Sequence, residues 1–322
     1  MRTKLLLTRR WPEPVEDYLR SRYDVAFNAS DEPMTEDALG AAARSCEILC
    51  TTVTDRLSAR VLDQPDCKLR LVCNYGVGYE HIDLAACKRR GIVVTNTPDV
   101  LTEATAELAI LLMLMVARRA GDGERELRAG RWSGWRPTHL VGRQVSGKTL
   151  GLVGFGRIAQ ATAVKASAGF GMSILYHSRR RAPAVLEETL RARYCARLED
   201  LLAESDFVSL HCPGGAATDN LIDSQQLARM RPSAFLINTA RGSVIDETAL
   251  IGALRTGAIA GAALDVFRNE PAISTELKAA PNLVLLPHLG SATTETRVAM
   301  GMRAVSNLEH WLEGREPPDR VV

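Results

Sequence analysis

From Thr149 the chain reads TLGLVGFGRIAQATA. An apolar run ends in Gly154, Phe155, Gly156, Arg157, Ile158 and Ala159, and a helical pattern follows. Strand, glycine turn and helix in this order restrict the fold to a parallel α/β sheet more strongly than any other stretch of the chain. The first glycine makes the tight turn. The second lets a pyrophosphate approach the backbone, where the helix N-terminus stabilises its charge. Ala159, in the third position, still permits close helix packing. The bland alternative is a tight β–α turn that binds nothing.

The sequence after the turn favours the binding reading. Apolar runs at 149–154, 173–178, 207–212, 234–239, 261–266 and 283–288 are separated by helical lengths. They predict six strands of a doubly wound domain. Earlier runs at 4–8, 47–53, 69–74 and 91–96 predict a second parallel sheet, with PEPVEDYLRSRY as a helix opened by prolines. A chain of 322 residues suits two such domains. Between them, LTEATAELAILLMLMVARR is apolar nearly all round and predicts a buried helix near 102–120, with Thr102 as N-cap. A second long helix is expected near 293–313. The Trp-, Gly- and Arg-rich segment from Gly130 to Lys148 is too long and irregular for a simple turn.

The second strand of the cofactor half ends at Ser178, and Arg179, Arg180 and Arg181 follow. A carboxylate at this point would accept from the 2′-hydroxyl of an NAD ribose; here the nearest downstream acid is Glu187. Ser178 as hydroxyl donor, with Arg179 and Arg180 as counter-charges, suits the 2′-phosphate of NADP instead. A solvated basic turn is the plainer alternative. His177 alternates to the other face of the strand.

Three polar groups follow later strands: Arg241 in INTARGSVIDE, Asp265 and Glu270 in LDVFRNEP, and His288 at the end of the sixth strand. Ligands of open α/β sheets bind beyond the carboxyl ends of the strands, so these groups are expected to face one crevice. Reduction of a 2-keto acid needs a proton, a cation for the carboxylate and a hydride. His288 can give the proton near neutral pH, Glu270 can orient and charge the imidazole, and Arg241 can grip the carboxylate. Asp265 could accept from a nicotinamide carboxamide. Each has a bland reading alone; their shared location favours the functional one.

A net charge of +2 gives no general pull toward nucleic acid or a membrane. The longest apolar run is about half a membrane span. MRTKLLLTRR has too short an apolar core for a signal peptide. Seven cysteines without a CxxC predict reduced thiols in a cytoplasmic chain and no metal site.

Taken together, NYGVGYEHID, GKTLGLVGFGRIAQ, NTARGSVIDE, ALDVFRNEP and LPHLGSAT resemble the D-isomer-specific 2-hydroxyacid dehydrogenases, and within them the glyoxylate/hydroxypyruvate reductases. The resemblance covers nearly the whole chain. It implies two doubly wound α/β domains, a Rossmann cofactor domain (100–289) inserted into a discontinuous flavodoxin-like substrate domain (1–99 and 290–322). It implies Arg241, Glu270 and His288 as the catalytic trio. Backbone amides of Val77 and Gly78 would cradle the substrate carboxylate, with Leu101 lining the pocket. Thr102, Gly154 to Ile158, Ser178 to Arg180, His211, Cys212, Pro213, Thr218, Thr239, Ala240, Asp265 and Gly290 would contact NADP(H), with NAD(H) at lower preference. Trp132 and Trp135 resemble the family segment that reaches a partner in a homodimer, Trp135 being the candidate for the neighbour's pocket. His81, His139 and His310 read as structural or exposed. Two rivals stay open beside a formate dehydrogenase, which would need a substrate pocket too small for hydroxypyruvate. One is an NAD(P)-sensing corepressor-type protein, disfavoured by the short stretch after the last helix. The other is a 3-phosphoglycerate dehydrogenase-like enzyme, expected to carry a further domain and to use NAD.

Overall fold

The computed structural model describes residues 4–322, so the first three residues of the expected substrate domain lie outside it. The chain divides into two compact units: Met1–Leu101 with Ala292–Val322, and Thr102–Ser291.

The first unit is built on five parallel strands: β1 (Lys4–Leu7), β2 (Asp24–Phe27), β3 (Ile48–Thr52), β4 (Leu71–Tyr75) and β5 (Val93–Thr95), in the order β2-β1-β3-β4-β5. That is the flavodoxin-like order. The central strands β3 and β4 are buried on both faces, which explains their unbroken apolar runs. The helix Thr294–Leu312 returns to this unit, capped by the Thr293 hydroxyl on the Thr296 amide. Gly301 lets it approach closely; a Cβ there would lie 2.7 Å from Val15. The last residues then pair with β5, Val321 N–H donating to the Val94 carbonyl at 2.7 Å.

The second unit holds seven parallel strands: β6 (Thr149–Val153), β7 (Ser173–His177), β8 (Ala192–Tyr194), β9 (Phe207–Leu210), β10 (Phe235–Asn238), β11 (Gly261–Leu264) and β12 (Leu283–Leu285). Their order is β12-β11-β10-β9-β6-β7-β8. Counted from β6, this is the doubly wound Rossmann order with one added edge strand. Alternate residues feed two cores. Leu150, Leu152, Ile174, Tyr176 and Ile237 pack under the apolar helix Thr102–Ala117 on one face. Val153, Val208, Leu210, Leu236 and Leu264 pack with Leu201, Leu250 and Leu254 on the other.

Several expectations need correction. Strands β2 and β8 were not anticipated; both are edge strands of four and three residues, too short to show a period. The helix expected at 102–120 stops at Ala117, and Thr102 is its first residue rather than its N-cap. The Ala117 carbonyl accepts from the Arg143 amide at 2.7 Å, and Arg119 turns left-handed to open a separate helix, Ala120–Arg128. Among the described residues no helix is long and apolar enough to cross a membrane.

Candidate active site

The glycine turn lies where β6 separates β7 from β9, the switch point of the second sheet. Gly154 has φ +88°, and a Cβ on it would come within 2.8 Å of the His211 and Cys212 backbone. The first glycine is therefore demanded by the chain that follows β9 as much as by the turn. Gly156 opens the helix Arg157–Phe170, and a Cβ there would meet nothing within 4 Å. The protein itself does not require glycine at 156; the open side suits a phosphate coming close to the helix N-terminus. Ala159 is fully buried against the sheet, as close helix packing needs. Phe155 is buried and stacks on Tyr176 at 3.9 Å, while Arg157 is exposed and Ile158 half-buried.

After β7, the Ser178 hydroxyl donates to the Arg180 carbonyl at 2.5 Å. Its proton is engaged within the turn, and its oxygen keeps acceptor capacity. Arg181 is held by Glu187 at 2.8 Å, and Tyr176 donates to the same carboxylate at 2.6 Å. Arg181 and the Tyr176 hydroxyl hold the Glu187 carboxyl down at about 2. The acid is thereby neutralised by the third arginine, and Arg179 and Arg180 stay exposed without an ion pair among the described residues. The turn thus presents two unopposed cations.

Further residues named from the sequence line the same end of the sheet. His211 bonds Ser209 at 2.9 Å, and burial pushes its imidazole down to about 4, so it is neutral. Burial pushes the Cys212 thiol up to about 11. Thr218 donates to the Pro213 carbonyl at 2.7 Å and shapes that loop. Thr239 is buried, and its hydroxyl has no partner among the described residues. Ala240 N–H donates to Asn238 Oδ1. An open helix start, two unopposed arginines and an orphaned buried hydroxyl fit a phosphorylated dinucleotide.

Three side chains beyond β10, β11 and β12 converge. His288 Nδ1 lies 2.8 Å from Glu270 Oε2, and the other Glu270 oxygen accepts the Phe267 amide at 2.8 Å. Burial raises the Glu270 pKa, but the His288 bond, the Phe267 amide and the Arg241 charge outweigh it, and the carboxyl ends below its ordinary value. Arg241 is half-buried and donates to the Ala240 carbonyl at 2.6 Å. His288 corrects the expected placement: β12 ends at Leu285, and the histidine sits three residues on, with φ +56°. Its amide donates to the Asp265 carbonyl at 2.9 Å. The Asp265 side chain differs too. Its oxygens accept the Leu289 amide at 2.6 Å and the Gly290 amide at 2.8 Å, so it holds the His288 loop rather than standing free for a ligand. Burial drives that carboxyl up to about 6. Thr105 donates to the Gly290 carbonyl and fixes the same loop from the other side.

In the first unit, the loop after β4 turns its carbonyls inward. Asn74 Nδ2 donates to Gly76 O at 3.2 Å and Gly78 O at 2.9 Å, and Asn96 Nδ2 donates to Val77 O at 2.9 Å. The Val77 and Gly78 amides have no acceptor among the described residues. Beside this loop runs a groove of about 520 Å³ lined by Val53, Thr54, Arg56, Glu80 and His81. Leu101 is buried just before the helix Thr102–Ala117. Asn74 and Asn96 escaped the sequence reading. The available signal was an asparagine where an apolar strand runs into a glycine-flanked loop. Trp135 is 81% exposed and Trp132 52%. Among the described residues no group of His, Cys, Asp or Glu is placed to hold a metal ion.

Residues 110–290 match the family described as D-isomer specific 2-hydroxyacid dehydrogenase, NAD binding domain. A glyoxylate reductase of Thermococcus litoralis is 44% identical over 325 aligned residues, covering 100% of this chain and 97% of the relative. A solved D-isomer-specific 2-hydroxyacid dehydrogenase from Polaromonas superposes with TM-score 0.92 at 39% identity, over the full length of both chains. An NADPH-dependent glyoxylate/hydroxypyruvate reductase from Sinorhizobium meliloti, solved with NADP and malonate, superposes with TM-score 0.88 at 36% identity, covering 100% and 97% of the two chains.

Proposed function

The chain belongs to the D-isomer-specific 2-hydroxyacid dehydrogenases, and on that premise we propose that it reduces small 2-keto acids with NADPH, glyoxylate to glycolate and hydroxypyruvate to D-glycerate. The observation that carries this reading is the Glu270–His288 pair at 2.8 Å, with Arg241 close enough to stabilise the Glu270 charge.

Bound NADPH supplies the hydride. The chain's own residues supply the rest. Glu270 stays ionised at neutral pH and occupies His288 Nδ1, which leaves Nε2 to carry the proton given to the carbonyl oxygen. Arg241 presents a planar fork to the carboxylate and the polarised carbonyl. The unpartnered amides of Val77 and Gly78 donate to the carboxylate, and Leu101 supplies apolar wall. For the cofactor, the residues that would hold it are Thr102, Gly154, Phe155, Gly156, Arg157, Ile158, Ser178, Arg179, Arg180, His211, Cys212, Pro213, Thr218, Thr239, Ala240 and Gly290. Asp265 serves by holding the loop of His288 and Gly290. Arg179 and Arg180 favour a 2′-phosphate, so NADP(H) is the preferred cofactor and NAD(H) the weaker one.

The seven cysteines are all free, which suits a reducing, cytoplasmic setting. Leu127, Trp132, Trp135 and Val141 are exposed on one connected stretch of chain, and that apolar surface suits a homodimer. Steady-state rates with NADPH and NADH across glyoxylate, hydroxypyruvate and pyruvate test the reading. Rapid NADPH oxidation with the first two is expected; no turnover of any of the three would reject it.

A further inference from the structure

The bond pattern of the loop after β4 raises a question that the catalytic trio does not answer: what leaves the two adjacent amides of Val77 and Gly78 without an acceptor among the described residues. Asn74 is fully buried, and its amide nitrogen is committed to the carbonyls of Gly76 and Gly78. That commitment fixes the orientation of the amide group. Its oxygen must then be the atom facing His81, 3.0 Å from Nε2. An amide oxygen only accepts, so the hydrogen between them belongs to the histidine, and His81 carries its proton on Nε2. The backbone of His81 is pinned as well. Its carbonyl accepts the Leu57 amide at 2.9 Å, and Leu57 accepts in turn from the Asp83 amide at 2.8 Å.

We propose that His81 and Asn74 are positioning residues that set the direction of the Val77 amide, and so govern affinity for the carboxylate of the substrate. The physical reason is a polarity constraint. A peptide group has a donor end and an acceptor end. The Gly76 carbonyl shares its peptide group with the Val77 amide, so holding it against a buried amide nitrogen turns the Val77 N–H the other way, and the Asn96 bond to the Val77 carbonyl does the same for the Gly78 N–H. A loop free to flip would offer a carbonyl oxygen to an anion in a share of its conformers, which repels rather than binds. His81 adds the second restraint. Without that donor, the buried Asn74 oxygen would be left unsatisfied, which is costly and loosens the side chain's hold on the two carbonyls. His81, which the sequence alone marked as structural or exposed, is thereby the orienting group behind the cradle.

The inference rests on the reading of Val77 and Gly78 as carboxylate donors. It is tested on the NADPH-loaded protein with oxalate as a plain carboxylate probe, by calorimetry, alongside KM and kcat for glyoxylate. Asn74→Asp replaces the donor by an acceptor, and oxalate affinity is expected to fall at least about tenfold, with NADPH affinity held within about twofold. His81→Leu removes the donor to Asn74 and is expected to raise the oxalate Kd and the glyoxylate KM by about three- to tenfold, with kcat far less affected. His81→Gln, which keeps a donor, restores both to within about twofold. Should Asn74→Asp fail to fold, the His81 pair decides alone. Unchanged oxalate affinity in His81→Leu, or a loss that His81→Gln does not repair, overturns the proposal. If the parent protein binds oxalate and the variants weaken it as expected, but no 2-keto acid is turned over, the positioning role stands and the proposed reaction falls. If glyoxylate is reduced and the variants keep wild-type KM, the reaction stands and the positioning role falls.

Discussion

His288 occupies a left-handed backbone angle that few side chains adopt, asparagine, aspartate and histidine most readily. His288→Asn tolerates that angle, so it separates chemistry from folding. Stability is expected to stay within about 1 kcal/mol, NADPH binding to stay near normal, and kcat for glyoxylate to fall by about 10²- to 10⁴-fold. Wild-type turnover in this variant would remove the histidine from the reaction. Asp265 gives a pH signature. Its carboxyl titrates at about 6 because burial disfavours the charge. As the pH falls through that value it takes a proton and loses acceptor strength toward the Leu289 and Gly290 amides. An acid limb in kcat/KM centred near pH 6 is expected, one that Asp265→Asn abolishes while lowering the plateau; a profile of the parent enzyme flat down to pH 5 would refute it. Stability runs the other way for this group. A carboxyl raised on folding favours the native state most below its unfolded pKa, and that contribution is lost as the pH climbs through 6. The acid limb is therefore not acid unfolding by Asp265. Sequence reasoning reached the trio because each member follows an apolar strand, but it could not see that Asp265 accepts from amides 24 and 25 residues downstream. Long-range side-chain to backbone bonds leave no local pattern.

At the scale of elements, the proposed preference for NADPH rests on the turn after β7. Arg181 and Glu187 cancel, leaving Arg179 and Arg180. Ser178→Asp combined with Arg179→Ala is expected to reverse the ratio of kcat/KM between NADPH and NADH; an unchanged ratio would show that these side chains do not read the 2′-phosphate. The glycine turn gives a second test. At Gly154, alanine would press within 2.8 Å of the β9 loop backbone at a positive φ, so Gly154→Ala is expected to cost about 1–3 kcal/mol in chemical denaturation. The same change at Gly156 meets no protein atom, so it should spare stability and weaken NADPH binding. The strong strands were legible in the sequence because they are buried on both faces and read as unbroken apolar runs. The edge strands β2 and β8 were not, since three or four residues cannot display a period. Nor was the break after Ala117, which depends on a loop reaching back from Arg143.

At the scale of the whole molecule, the tryptophan segment exposes Trp132, Trp135 and Val141 within ten residues of chain. On the homodimer proposed above, Trp132→Ser with Trp135→Ser is expected to shift the sedimentation coefficient from a dimer's to a monomer's value; an unaltered coefficient would reject this segment as the contact. The order of the chain has a further consequence. The unit that begins at the N-terminus is finished only by the C-terminal segment, where Val321 and Val322 bond to Val94 and Arg320 bridges Thr95. During synthesis, the first hundred residues therefore emerge well before the partner segment exists, while everything from Thr102 to Ser291 is available as one uninterrupted piece.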